Sequence, residues 1–256
     1  MRAFIAFVKK ELCDSSRNGK LMILAVLFFA LGVMNPAVAK LTPWIVEMLS
    51  EQLADSGMTV TTVNVDALTS WTQFFKNIPM ALIAFVFIYS SSFTKEYETG
   101  TLTLILTKGV SRYKILLAKS VLMFILWTVG YWFCFAVTYG YNAYFWDNSI
   151  AIGLSWATFN WWLFGIFTVA LTVLCSVILK TYSGVLLCTG GSILAMYLLA
   201  ILPKLEQYMP TSLMNISALL VGAEASTDYI NTIVVTVILT ALCIGVSIPI
   251  FNKKQI

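Results

Sequence analysis

Charge-free apolar runs long enough to cross a bilayer alternate with polar connections along the whole chain. Roughly 20 such residues traverse the hydrocarbon core as a helix. The pattern predicts six spans: Leu21–Ala39, Ile78–Phe93, Ser120–Tyr139, Trp156–Leu179, Tyr182–Leu202 and Ile230–Phe251, none of which contains Asp, Glu, Lys or Arg. The second run is short, and the aromatic-rich Trp71–Phe75 ahead of it either lengthens the span or lies at the interface. Trp156, Trp161 and Trp162 open the fourth run, and indole rings favour the headgroup level, so these three are expected in the outer interface. In the connection from Lys40 to Asn77, Pro43–Leu53 reads as a short interfacial helix and Thr59–Val65 alternates in strand-like fashion. The expected fold class is an all-α polytopic membrane protein, one membrane domain over residues 1–256 with no internal repeat and no linker.

Composition agrees with this pattern. Hydrophobic residues make up 59% of the 256 and charged residues 11%, whereas a water-facing domain carries about 25% charge. Thirteen of the sixteen basic residues fall in the N-terminal segment, in 94–119, at Lys180 and at the C-terminal end; the alternate connections carry Lys40, Lys76 and Lys204. That asymmetry predicts both termini in the cytoplasm and accounts for the net charge of +4 without nucleic acid. The basic start, the apolar Leu21–Met34 and Ala37-Val38-Ala39 imitate a secretory signal, but cleavage there would discard the charges that anchor the N-terminus, so retention is expected. Residues 1–20 place Phe4, Phe7, Val8 and Leu12 on one helical side, which fits an amphipathic helix in the inner interface.

Chemistry is constrained by what the chain lacks. There is no histidine, which excludes His-ligated metals and Ser-His or Cys-His catalysis. Four of the five cysteines lie in apolar stretches, Cys13 lies in the basic N-terminal segment, and no C-x-x-C pair occurs, so neither a metal site nor a disulfide framework is expected. No catalytic residue is assigned. Ion-coupled transporters place ionisable groups at membrane depth, and the six runs have none; a membrane enzyme would need convergent titratable groups. A pore-only channel would not need the most informative stretch, Thr94 to Lys119. That segment is too polar to enter lipid and too apolar for a free loop: Tyr97, Thr101, Leu104 and Ile105 recur at helical spacing before a break at Gly109. It reads as a small helix laid against another protein, with Gly100 allowing close backbone approach.

The run E-x-G-T-L-x-L-I-L-T-K-G-V-S-R-x-x-x-L-L-x-K from Glu98 to Lys119 resembles permeases of the ABC-2 superfamily, the membrane subunits of type V ABC exporters. The F-V-K-K-E-L-x-D-x-x-R-N start is similar to that family's N-terminal elbow helix, and the six-span plan agrees. The resemblance implies that Lys95 to Lys108 is a coupling helix docking into an ATPase subunit, with Glu96, Tyr97, Glu98, Gly100, Thr101 and Leu104 nearest the partner. Ser111, Arg112 and Lys119 would seat the return into the third span, and Lys180, Thr181 and Tyr182 would make a second coupling contact. Residues 203–229 would form an outer re-entrant segment, for which an ordinary outer loop is the alternative.

No G-x-x-x-x-G-K-[ST] motif exists in the chain. ATP with magnesium is therefore expected on a separate ABC ATPase subunit, in two copies, serving two permease copies, a homodimer being expected. The small residues Gly184, Cys188, Ser192, Gly191 and Ala195 of the fifth span serve either bundle packing or the dimer seam. The resemblance places the pathway along the second and fifth spans, and helical spacing then points to Phe85, Tyr89, Phe93, Met196 and Tyr197 as cargo-lining. Aromatic, uncharged spans suit hydrophobic or amphipathic cargo, a peptide toxin, antimicrobial peptide or drug, because a bare ion would find no compensating charge. Lipid or glycan export, or a non-ABC transporter or channel, is the alternative. The expected setting is the cytoplasmic membrane of a bacterial cell.

Overall fold

The computed structural model describes residues 2–54, 65–102, 107 and 111–254. Seven long helices make up most of them: α1 (Arg2–Arg17), α2 (Lys20–Ala54), α3 (Ala67–Glu98), α4 (Arg112–Phe145), α5 (Leu154–Ile178), α6 (Tyr182–Ala200) and α7 (Ile230–Lys253). Among the described residues, six helices are long and apolar enough to cross a membrane, one for each predicted run, and no strand occurs. Thr59 to Asn64 of the strand-like stretch lie outside the described residues.

The predicted break before Pro43 does not occur. Helix α2 runs unbroken through Pro36 and Pro43, so residues 43–53 continue the first span and are no separate interfacial helix. Proline costs a helix one backbone hydrogen bond to the carbonyl four residues earlier. For Pro36 that carbonyl belongs to Gly32, and the buried Thr138 hydroxyl of α4 donates to it at 3.0 Å. A neighbouring helix thus supplies what proline removes, as hydrocarbon demands of any free polar backbone group. Helix α3 starts well ahead of its apolar run, because the Asp66 side chain caps it by accepting from the Thr69 amide at 2.9 Å. Trp71, Phe74 and Phe75 therefore belong to the helix and are buried.

Helix α5 is the axle of the bundle, contacting α3, α4, α6 and α7. In its most apolar window 78% of residues are buried, against 11% in α6 and in α7, so those two helices present most of their surface to lipid or to other protein. Thr158, Thr168, Thr172 and Ser176 of α5 are buried and donate to the carbonyls four residues earlier, leaving no free hydroxyl. Trp161 is buried in this packing, and Trp156 is exposed. Trp127 of α4 lies against α5 where Gly165 leaves room: a Cβ there would stand 2.1 Å from the indole. Phe28, Phe85 and Tyr131 surround the same ring.

Between α6 and α7 the chain makes short helical turns at Pro203–Glu206, Pro210–Met214, Ser217–Leu220 and Ser226–Tyr229. Leu213, Ile216, Leu219 and Leu220 are buried, and the segment packs on α5 and α6. Burial of these apolar residues distinguishes it from a solvated loop.

Candidate coupling face and intramembrane groove

Helix α1 turns Phe4, Phe7, Val8, Glu11 and Ser15 inwards, at the spacing of one helical face. Leu12, expected on that face, is exposed, because Glu11 takes the inner position. The reason is an ion-pair cluster joining three helices. Lys119 Nζ of α4 donates to Glu11 Oε2 at 2.8 Å and to the Ser92 carbonyl at 3.0 Å, and lies 3.1 Å from Glu96 Oε1 of α3. Lys10 Nζ reaches Glu11 Oε1 at 2.8 Å and Glu96 Oε1 at 3.4 Å. The Lys119 side chain is 2% exposed, Glu11 7% and Glu96 13%. Burial works against ionising Glu11, but the Lys119 and Lys10 charges and hydrogen bonds outweigh it and hold the carboxyl below its ordinary value.

The same end of the bundle is laced by two further cations. Arg112 donates to the carbonyls of Phe251, Asn252 and Lys254, fixing the end of α7. Lys254 in turn donates to the carbonyls of Val177, Ile178 and Leu179, groups left unpaired at the end of α5. It also stands 4.2 Å from the Tyr97 ring centre. Burial, with the nearby Lys180 charge, pulls the Lys254 ammonium down to about 8.

Helix α3 ends at Glu98, and Gly100 turns the chain with φ +64°, a backbone region open to glycine. Thr101 and Leu102 resume helical backbone; Leu102 is buried, anchoring the start of the next segment. Thr99, Gly100, Thr101, Lys180 and Thr181 are exposed on this face.

Within the bundle, a groove of about 380 Å³ runs between α3 and α6 over a floor of α5. Pro79, Ile83 and Phe87 form one wall, Leu187, Gly190 and Ile193 the other, and Trp161, Phe164 and Thr168 the floor; no charged residue lines it. At the opposite end from the cation cluster, Glu206, Glu224 and Asp228 border a polar pocket of about 340 Å³. There the Tyr229 hydroxyl lies 2.6 Å from both the Asn215 carbonyl and Glu224 Oε2, tying the short turns to α7. Among the described residues, no cluster of three acidic or thiol side chains is placed to hold a metal ion.

This six-span arrangement agrees with a comparison to family models, in which residues 5–256 match the model for ABC-2 family transporter proteins. The chain belongs to the ABC-2 transporter family. It is thus a membrane permease of an ABC transporter, a transmembrane component with no catalysis of its own, and membership implies association with an ABC ATPase. No curated protein and no solved structure matches it significantly.

In the permease, the residues singled out for coupling divide into three groups. Gly100, Thr101 and Lys180 are exposed, as a contact face requires. Tyr182 is exposed as well, although its hydroxyl donates to the Phe87 carbonyl at 3.1 Å. Glu96, expected nearest the partner, instead points into the ion-pair cluster; Tyr97 lies under Lys254, and Arg112 serves the chain's own C-terminal end. The Ser111 hydroxyl is buried, and Lys119 seats the return into α4 by pairing Glu11 and Glu96. Glu98 ends α3, and Leu104, Ile105, Lys108 and Gly109 lie outside the described residues.

The cargo-lining expectation meets a correction. Phe85, Tyr89 and Phe93 are buried inside the permease itself, Phe85 against Tyr89 and Trp127 of α4 and Phe93 against Phe251 of α7. Of that set, Met196 is half-buried and Tyr197 exposed. The small residues of α6 do little packing within the bundle: Gly190 and Gly191 have no atom near the position of a Cβ. Sequence reasoning missed Glu11, whose signal was its place four residues after Phe7 on an otherwise apolar face, and Lys254.

The cluster predicts a pH dependence. A carboxyl held below its unfolded value stabilises the fold fully above that value and loses the contribution as pH falls. Stability of the purified permease in detergent should therefore be retained down to about pH 4.5, the ordinary carboxyl value, and decline below it. Melting curves of Glu11→Gln should show a flatter decline there; identical curves would dismiss the cluster as a source of stability.

Proposed function

We propose that this permease is the membrane half of an ATP-driven exporter that moves hydrophobic or amphipathic cargo, such as a peptide toxin, antimicrobial peptide or drug, out of a bacterial cell across its cytoplasmic membrane. The observation that carries the reading is the uncharged groove between α3 and α6, whose walls suit an apolar side chain and offer an ion nothing. Ile83, Phe87, Leu187 and Leu194, with Tyr197 retained from the original set, replace Phe85, Tyr89 and Phe93 as the cargo-facing candidates, because they are exposed.

In this reading the basic end of the bundle faces the cytoplasm, in keeping with the positive-inside rule. There the exposed Thr99–Thr101 turn and Lys180 meet a separate ABC ATPase, which binds ATP with magnesium. Two such subunits serve two permease copies, and the open face of α6 around Gly190 and Gly191 suits close approach of a second copy. Movement of the coupling segment at the end of α3 shifts one wall of the groove directly, since α3 is a single helix from the outer side to Glu98.

The test is affinity capture of the permease from native membranes, followed by ATPase assays in vesicles. The reading expects a co-purified ATPase whose activity rises with amphipathic peptides and whose stimulation is lost in Ile83→Asp. Stimulation by lipid or glycan alone would transfer the cargo to that class; capture of the permease with no ATPase would reject the exporter.

A further inference from the structure

Two thiols meet across the turn joining α5 and α6. Cys175, near the end of α5, and Cys188, in the second turn of α6, are both free, with their Sγ atoms 3.1 Å apart. Cys175 is 2% exposed, whereas Cys188 is half-buried beside the inward-facing Val185 and Thr189. Neither thiol has a part in the coupling face or the groove wall described above.

We propose that Cys175 and Cys188 form an oxidation site at which a lipid-soluble hydroperoxide closes a reversible disulfide that pins α6 to α5. The sulfurs need to approach by only about 1 Å to reach bonding distance. Helix α5 is packed on all sides while α6 is little buried, so α6 is the element that moves. Cys188, the more open of the two, attacks the peroxide: its sulfur–oxygen bond forms, the oxygen–oxygen bond breaks, and the leaving alkoxide takes the thiol proton to become an alcohol. Cys175 then attacks the Cys188 sulfenic acid: the sulfur–sulfur bond forms, the sulfur–oxygen bond breaks, and water leaves with the second proton. Two electrons pass from the two thiols to the peroxide, and a dithiol reductant reverses the result.

Both sulfurs lie in membrane-spanning helices, where aqueous oxidants are scarce. An oxidant that concentrates in lipid offsets this. Because α6 forms one wall of the groove, closing the bond fixes that wall against the floor. The thiol chemistry itself does not depend on cargo or ATPase.

The experiment treats native membranes holding the full chain with cumene hydroperoxide, blocks free thiols, digests, and reads linked peptides by mass spectrometry. The expected product is a Cys175–Cys188 link that dithiothreitol removes, that persists in Cys243→Ser and vanishes in Cys188→Ser and Cys188→Ala. Hydrogen peroxide at equal aqueous concentration should give a several-fold lower yield. Separate blocking of Cys175 and Cys188, sulfinic acid at Cys188 beside a free Cys175, a link to Cys243 in place of Cys188, or equal yield from both peroxides would overturn the proposal.

Discussion

Replacing Lys119 with methionine is expected to destabilise the permease by about 3–5 kcal/mol, the usual cost of removing one partner from a buried ion pair. Lys119 is almost fully buried and is the partner that both Glu11 and Glu96 share from within the bundle. Lys10, about half exposed, still pairs Glu11 at 2.8 Å but meets Glu96 at 3.4 Å, so it replaces the buried partner only in part. The variant should also flatten the pH response. The Lys119 charge is the main influence that holds the Glu11 carboxyl below its ordinary value against burial, so without it less stability is lost as pH falls through that range. The triple variant Glu11→Gln, Glu96→Gln, Lys119→Met should recover most of the loss, since neutral groups carry a far smaller desolvation penalty. Thermal unfolding in detergent at pH 7 and below the ordinary carboxyl value of 4.5 reads all three; a Lys119→Met protein as stable as the parent at pH 7 would show the cluster to be ornamental.

Trp127→Ala is the second large effect, about 3–5 kcal/mol, from the cavity left by a fully buried indole. The ring is held by Phe28, Phe85 and Tyr131, and its Nε1 donates to the Trp162 carbonyl at 3.3 Å. Gly165→Ala approaches the same contact from the other helix. Its new methyl would overlap the indole, and such overpacking costs roughly 1–3 kcal/mol. In the Trp127→Ala background that overlap is gone, so the double variant should be less damaged than the two losses added together. Additive melting-temperature losses would mean that Gly165 and Trp127 do not share the contact.

Spans were legible because crossing hydrocarbon imposes a composition on every stretch that does it, regardless of what it packs against. The α2 boundary was not, because proline marks the end of a helix only where nothing supplies the missing hydrogen bond. At Pro36, Thr138, 102 residues further along, supplies it, and the helix runs on through Pro43 as well. Facing was the weakest inference. Phe85, Tyr89 and Phe93 share a helical face, but spacing alone leaves open whether that face meets a pathway or Trp127. In hydrocarbon both are apolar, so hydrophobicity loses the inside-from-outside contrast it gives in water. The pairing of Glu96 was hidden for the converse reason: a carboxylate in a polar connection shows no partner until Lys119 and Lys10 are brought to it.

The amino-acid sequence by itself determined how many times the chain can cross the bilayer, which end of the bundle is basic, and that the chain carries no nucleotide-binding motif, since each follows from the local presence or absence of charge and motif. Tertiary structure alone decided which helix is the axle, which aromatic faces are spent on packing, and that four charges from three helices, Lys10, Glu11, Glu96 and Lys119, converge on one cluster. Those outcomes depend on pairing between distant helices, and a local pattern of apolar residues fits several such pairings equally well.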